Sequence, residues 1–340
     1  MLCFTSPTQK RFFPSLDTTK QPTAGTEQER DSRQLATVLA MVSPFSTQEY
    51  TSQLHNLEQF ATDSFSFATS MLPLTYPIIE GTILSDADFF EALDFDREGM
   101  ETVRQAVEQN DYDTAIHQLA HYMRTRDNSK WYFNCNDVTK PGTRNPDFDT
   151  TKADTVAANC FAPVNIAHCF GDSIDWSFNP TPIQYDEWTW KLNNHAFWTS
   201  LGEAYWATGN EKYAQAWVRQ LRSWIIQSPL PDFCPGVDYS HWRTLETGGR
   251  ASLRWPELFL RFIYSPSFDD ETLVWMVKSF YEHAVHLRKS HRRINWLARE
   301  MNGLFHIGLL FPEFKQSAAW CQYAIDRLYT EQKKQFYPDG

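Results

Sequence analysis

The stretch INWLAREMNGLFHIGLLFPEF, residues 294–314, decides how the rest of this chain is read. Leu297, Met301, Leu304, Phe305 and Gly308 recur at steps of three and four residues, which is one face of a 3.6-residue period. Pro312 stops the pattern, because proline cannot continue a helix. The spacing predicts a core helix. Asn295 stands at its mouth beside Trp296 and admits two roles. Asn is a leading helix N-cap residue, and its neutral amide can also hold a ligand. Residue chemistry alone favours the cap.

Outward from this segment the chain reads as helix after helix. Residues 95–126 predict two helices broken at Asn110-Asp111, and 188–210 predict one strong helix with a Gly-Asn stop. Residues 211–229 predict another, ended by Pro229. The segment RTLETGGRASLRWPELFLRFIYSP carries helical spacing interrupted at Gly248-Gly249. Residues 269–291 form an amphipathic pattern with acids first and bases last, as the helix dipole favours. A final helix covers 318–336. Residues 130–186 lack a sustained period and read as a long loop region. Residues 1–48, rich in Ser, Thr, Gln and Pro, read as a disordered leader. Residues 49–85 read as an N-terminal extension and 86–340 as the folded domain. Strand signals are scarce. The fold class is therefore all-α, and a solenoid, a bundle or an α/α toroid would each fit. No fixed-period repeat supports the solenoid.

Composition narrows the partners. The 340 residues carry a net charge of −11, with 31 basic and 42 acidic side chains. This argues against nucleic acid or an anionic membrane as main partner, while a local basic cleft in an acidic protein stays open. No stretch reaches the roughly 20 apolar residues of a membrane span. LATVLAMV (35–42) reads as a helix turn rather than a displaced signal core. The six cysteines form no C-x-x-C pair and no zinc pattern, so buried free thiols are expected. Thirteen tryptophans are unusually many. Most should be core, with a few stacking on sugar rings.

Phosphate-loop, Rossmann, G-x-S-x-G and H-E-x-x-H patterns are absent, and no cofactor is expected. HAVH (283–286) lies within an amphipathic helix and reads as structural, not metal-binding. HWRTLETGGR (241–250) concentrates His241, Trp242, Arg243, Glu246 and Arg250. Its arginines offer forked donors suited to carboxylate or sulfate, and Gly-Gly admits a close backbone or ligand. A salt-bridged turn between helices fits equally well. Trp190, Asn193, Asn194 and His195 make a second polar cluster, or a satisfied polar edge on a core helix. Glu246 and Glu300 could be an acid/base pair for glycoside hydrolysis, although Glu300, beside Arg299 in an apolar helix, fits a buried structural carboxylate better.

Six segments in order resemble the N-terminal domain of the heparinase II/III-like polysaccharide lyases, closest to the heparan-sulfate lyase type. They are the QAVEQNDYDTAIHQLAHYMR pair, IDW (174–176), the segment WKLNNHAFWTSLGEAYWATGNEKYAQAWVRQLRSWIIQSP, WRTLETGGR, the opening stretch and EQKKQFYPDG. The resemblance spans about residues 86–340. It implies an incomplete (α/α) toroid with a cleft for an acidic polysaccharide, and β-elimination at a uronic acid. It implies that Asn295 neutralises the substrate carboxylate, with Glu300 and Phe311-Pro312-Glu313 completing the matching pattern. Arg243, Arg250, His241, Trp242, Glu246, Trp190, Asn193, Asn194 and His195 are the expected substrate contacts. It further implies a catalytic Tyr soon after the Asp339-Gly340 position and a His from a following β-sandwich, neither of which has a match in residues 1–340. Residues 1–340 are therefore expected to be a truncated toroid, catalytically incomplete and without the sandwich. Members commonly show Arg where this sequence has Asn194, which leaves the specific glycan open. Periplasmic or secreted placement is also implied. The competing expectations are a non-catalytic glycan-binding module and an α/α-toroid glycoside hydrolase using Glu246.

Overall fold

A computed structural model of the protein describes residues 84–126, 145, 147–231 and 241–335. The expected leader and all but the last two residues of the N-terminal extension lie outside the described residues, as do Tyr337 and Asp339-Gly340. No helix among the described residues is long and apolar enough to cross a membrane.

The architecture is all-α, an incomplete (α/α) toroid of paired helices. In chain order the helices are α1 (Asp86–Glu91), α2 (Glu101–Glu108), α3 (Tyr112–Thr125), α4 (Thr151–Ala157), α5 (Glu187–Leu192), α6 (Trp198–Thr208), α7 (Glu211–Gln227), α8 (Thr244–Gly249), α9 (Trp255–Phe262), α10 (Asp270–Ser290), α11 (Asn295–Leu310) and α12 (Ser317–Gln335). Neighbours in sequence pack as pairs: α2 with α3, α6 with α7, α10 with α11, and α11 with α12. Local chemistry sets the boundaries. Asp111, Asn210 and Asp269 each accept a backbone N–H of the first turn they precede, at 2.7–3.1 Å, which satisfies an otherwise orphaned donor. Gly209, at φ 69°, closes α6 in the left-handed conformation that favours glycine.

The break between α2 and α3 falls where the sequence predicts it, and α7, α10, α11 and α12 match their expected spans within two residues. Three expectations need correction. The helix expected over 188–210 is two helices, α5 and α6, divided at residues 193–197. Asn193 spends its amide on the Trp176 and Thr189 carbonyls, each at 2.9 Å, and His195 takes φ 59°, which a helix cannot continue. The Gly248-Gly249 pair does not interrupt helical structure. The chain runs through it into a π-helical turn, Arg250–Arg254, and on into α9. The region 130–186, expected to be a loop, holds α4 and a two-residue antiparallel pair, β1 (Cys160–Phe161) with β2 (His168–Cys169). These pieces are too short to show a period.

Cysteine usage also departs from expectation. Cys160 and Cys169 form a disulfide that clasps the β1–β2 hairpin, while Cys321 is free and buried as expected. The two lie at a sequence separation of 9, too generic a spacing to mark a bridge. The clasped loop supports α5, since the Ile166 carbonyl accepts the Trp188 indole N–H at 2.8 Å.

The core is aromatic. Trp176, Trp188, Trp198, Trp217, Trp224, Trp242, Trp255 and Trp320 are fully buried, in line with the core reading of most tryptophans. Trp190, Trp206, Trp275 and Trp296 are only half-buried, and each lies against an arginine.

Candidate functional site: the mouth of α11

Helix α11 begins from an unusual turn. Ile294 precedes it at φ 65°, ψ −142°, a region a β-branched residue rarely occupies. Such strain persists where the surroundings enforce it. Two carboxylates do so here. Glu331 on α12 accepts the Ile294 N–H at 3.2 Å, and Glu300 accepts the Arg292 N–H at 2.8 Å. Ile294 therefore takes the cap position, without a side-chain cap, and Asn295 is the first helical residue. The N-cap expectation for Asn295 is corrected. Its side chain is exposed and bonds to no described residue. It sits at a helix N-terminus, where orphaned N–H groups and the dipole favour an anion.

Beside Asn295 is a cation held between indoles. The Arg243 guanidinium carbon lies 3.6 Å from the Trp190 ring centre and 4.5 Å from that of Trp296. Both distances are within cation–π range. Arg243 also faces Glu187 and Glu246, each at 3.4 Å. The elements α5, α8 and α11 thus bring Trp190, Arg243, Glu246 and Trp296 to one place, with Asn295 the chain neighbour of Trp296. α8 can lie this close to α11 because Gly248 meets backbone. A Cβ there would sit 2.6 Å from the Arg299 carbonyl oxygen and 2.8 Å from Glu300 Cα. The glycines serve backbone approach at Gly248, not room for a ligand.

Other expected contacts are interior. Arg250 is fully buried, and its guanidinium donates to His283 Nε2 at 2.9 Å, the Asn193 carbonyl at 2.6 Å and the Thr247 hydroxyl at 3.3 Å. Its fork is occupied by protein, and burial lowers its pKa to about 9. Asn193 is fully buried, with its amide oxygen accepting the Trp224 indole N–H. Trp242 is buried, donating to the Ser228 carbonyl. His195 is buried and accepts the Trp255 indole N–H at 3.0 Å while stacking on Trp198. The polar groups of these four face protein partners in this structure. His241 is partly exposed, but Ser228 and Ser177 hold both its ring nitrogens at 2.8 and 3.0 Å. Asn194, though buried, bonds through its side chain to no described residue.

Glu246 is 1% exposed. Burial raises its pKa, opposed by Arg243, Lys191 and Arg250. Glu300 is likewise buried and raised by burial, opposed by the Thr244 hydroxyl and the Arg292 amide. The first is a buried counter-ion to Arg243 and the second fastens a turn. Their burial speaks against the hydrolase pair. HAVH is structural in detail: His283 receives Arg250, and His286 Nε2 meets the Trp242 carbonyl at 2.7 Å.

The family pattern described as Heparinase II/III N-terminus matches residues 89–340. This chain belongs to that family. Within the heparinase II/III group it is similar to a heparin-sulfate lyase of Pedobacter heparinus, 32% identical over 76% of this chain and 40% of that protein. It is similar also to one of Bacteroides stercoris, 29% identical over 74% and 40%. Its fold matches the crystal structure of heparan sulfate lyase from Pedobacter heparinus at a TM-score of 0.60, with 30% identity over 74% of this chain and 40% of that one. A solved heparinase III matches at 0.65, with 28% identity over 76% and 42%. The chain spans about 40% of the length of the curated relatives it matches.

Sequence reasoning missed Glu187, Arg254 and Arg299 and left Trp296 unassigned. Arg299 was findable, because it follows Asn295 by four residues and must share its face. Trp296 and Glu187 reach the site only through Arg243, a contact between distant segments that no local pattern shows.

Proposed function

We propose that this chain is the toroid part of a polysaccharide lyase that cleaves uronic-acid glycans of the heparan sulfate type by β-elimination. The observation that carries this reading is Asn295: an exposed amide at a helix mouth that bonds to no described residue, next in the chain to Trp296 of the Trp190–Arg243–Trp296 stack. In β-elimination a base takes the C5 proton, the C5–H electrons form a C4=C5 double bond, and the C4–O bond breaks. The departing oxygen then takes up a proton. Negative charge develops next to the uronate carboxylate, so the carboxylate must first be relieved of its own charge. Asn295 donates its amide N–H to that carboxylate, and the orphaned N–H groups of α11 add to the field. The indole faces of Trp190 and Trp296 offer stacking surfaces for sugar rings. The side chains named here bind and orient the glycan, and the base and acid are the Tyr and the β-sandwich His that the resemblance implies. The Cys160–Cys169 bridge supports placement in an oxidising compartment, periplasmic or secreted.

The test is calorimetric titration of the 340-residue protein with a heparan sulfate oligosaccharide. Asn295→Ala is expected to weaken binding by about tenfold, the worth of one charge-assisted hydrogen bond. No ultraviolet-absorbing unsaturated uronate should form. Equal affinity in parent and variant would remove Asn295 from the site. Reducing ends without unsaturated product would move the protein to the hydrolases.

A further inference from the structure

Beyond Asn295 the same wall carries cations to which no role has been assigned. Arg299 lies one turn along α11 on the face of Asn295, roughly 6 Å further along the axis. Arg254 ends the π-helical turn between α8 and α9. Both reach Gly249. Arg254 Nη1 donates to the Gly249 carbonyl at 3.1 Å. The Arg299 guanidinium fills the space a side chain at 249 would take, with Nε 2.7 Å from the position of a Cβ. Two guanidiniums thus meet over one glycine, and both are partly exposed.

Their counter-charge is thin. Glu246 is the buried carboxylate that Arg243, Lys191, Arg250, Arg254 and Arg299 all face electrostatically. Among the described residues Glu187 joins it on the acidic side, held by Arg243 and Lys191. Glu257, near Arg254, is tied to Arg261 at 2.7 Å. Among the described residues five cations thus share these two carboxylates. Glu246 Oε2 has no hydrogen-bond partner among the described residues, so it balances charge through space; Arg254 spends one N–H on the Gly249 carbonyl, and no hydrogen bond among the described residues ties the Arg299 fork to a carboxylate. Paired forked donors beside a partly desolvated excess of positive charge suit a tetrahedral or planar oxyanion.

We propose that Arg254 and Arg299 form an anion subsite that binds the sulfate or carboxylate of the sugar next to the one Asn295 holds. This rests on the lyase-cleft reading above. The shared chemistry is a monoanionic oxyanion, and two sources supply it: a sulfate on the glucosamine, or the next uronate.

The experiment titrates the full 340-residue protein with two oligosaccharides of equal length. One is heparin-derived and sulfated, the other an unsulfated N-acetylated chain whose only charges are uronates. Arg299→Gln and Arg254→Gln are each expected to weaken binding by about tenfold. Loss confined to the sulfated chain identifies sulfate, and equal loss on both identifies carboxylate. Arg299→Lys, which keeps the charge but loses the fork, should fall between parent and Arg299→Gln. Thermal melts of each variant separate binding loss from misfolding, and Arg299→Lys serves if the glutamine variant does not fold. Parental affinity of the Arg254 and Arg299 variants for both chains, with Asn295→Ala still weakened, would overturn the subsite and leave the cleft reading standing. A parent protein that binds neither chain would overturn both.

Discussion

Taking this domain from pH 7 to pH 5 is expected to cost on the order of 5 kcal/mol of stability, a large part of what a domain has. The cause is a ring of neutral histidines around one buried cation. His195, His241, His283 and His286 all have lowered pKa values, first through burial, with the Arg250 charge adding to it. His241 and His286 fall to about 4. In the unfolded chain each returns to about 6.5. Their contribution is therefore complete above pH 6.5 and is lost as pH falls toward 4, because only the unfolded state takes up the protons. Glu282 works in the opposite sense. Burial raises its pKa to about 7, so it stabilises the fold progressively as pH drops below 7 and offsets roughly one histidine. Glu246 and Glu300, raised by burial, add to that offset. Urea unfolding at the two pH values checks this. His286→Gln, which can still donate to the Trp242 carbonyl, should flatten the slope by about one proton. An unchanged urea midpoint would mean the histidines are not held neutral.

Gly248→Ala is expected to destabilise the domain by about 3 kcal/mol, at the upper end of ordinary overpacking, and to lower its melting temperature by roughly 6–12 °C. The added Cβ would lie 2.6–2.9 Å from backbone atoms of Arg299 and Glu300, and neither helix has a flexible side chain there to yield. Gly303 presses back on the same place, with a Cβ meeting the Gly248 oxygen at 2.7 Å. Gly249→Ala provides the contrast. Its Cβ meets only the Arg299 guanidinium, so it should melt near the parent. Differential scanning calorimetry of both variants decides. Equal melting temperatures for the two would show that α8 and α11 are not held by backbone contact.

The fold was largely legible because its helices announce themselves. The run from Leu297 to Gly308 marked α11 by period alone, and the acids and bases of α10 marked its ends. Where the reading failed, the cause was tertiary. Nothing local in LNNHAF shows that Asn193 will hold the Trp176 carbonyl and leave the helix. The pairing of Cys160 with Cys169 is fixed by a hairpin too short to have a pattern. Of the expected site residues, Arg243 and Trp190 were singled out from the sequence and stack on one another, and Asn295 opens the helix whose Trp296 also meets Arg243. Arg250 carries the same chemistry on paper as Arg243, but Arg243 precedes α8 in non-helical backbone while Arg250 lies two turns further in, where its guanidinium meets His283. A guanidinium's destination depends on the backbone at its own position and on neighbours the sequence does not display.

The glycine contact between α8 and α11 has a mechanical consequence. Two helices that touch backbone to backbone through Gly248 and Gly303 cannot slide or part without losing their packing, so they behave as one rigid plate carrying Asn295, Arg243, Arg254 and Arg299 together. Across from them, α5 meets the plate through the stacking of Trp190 on Arg243, a contact that can shear at small cost. Any relative movement between these three elements therefore belongs to the α5 side, while α8 and α11 stay fixed to each other.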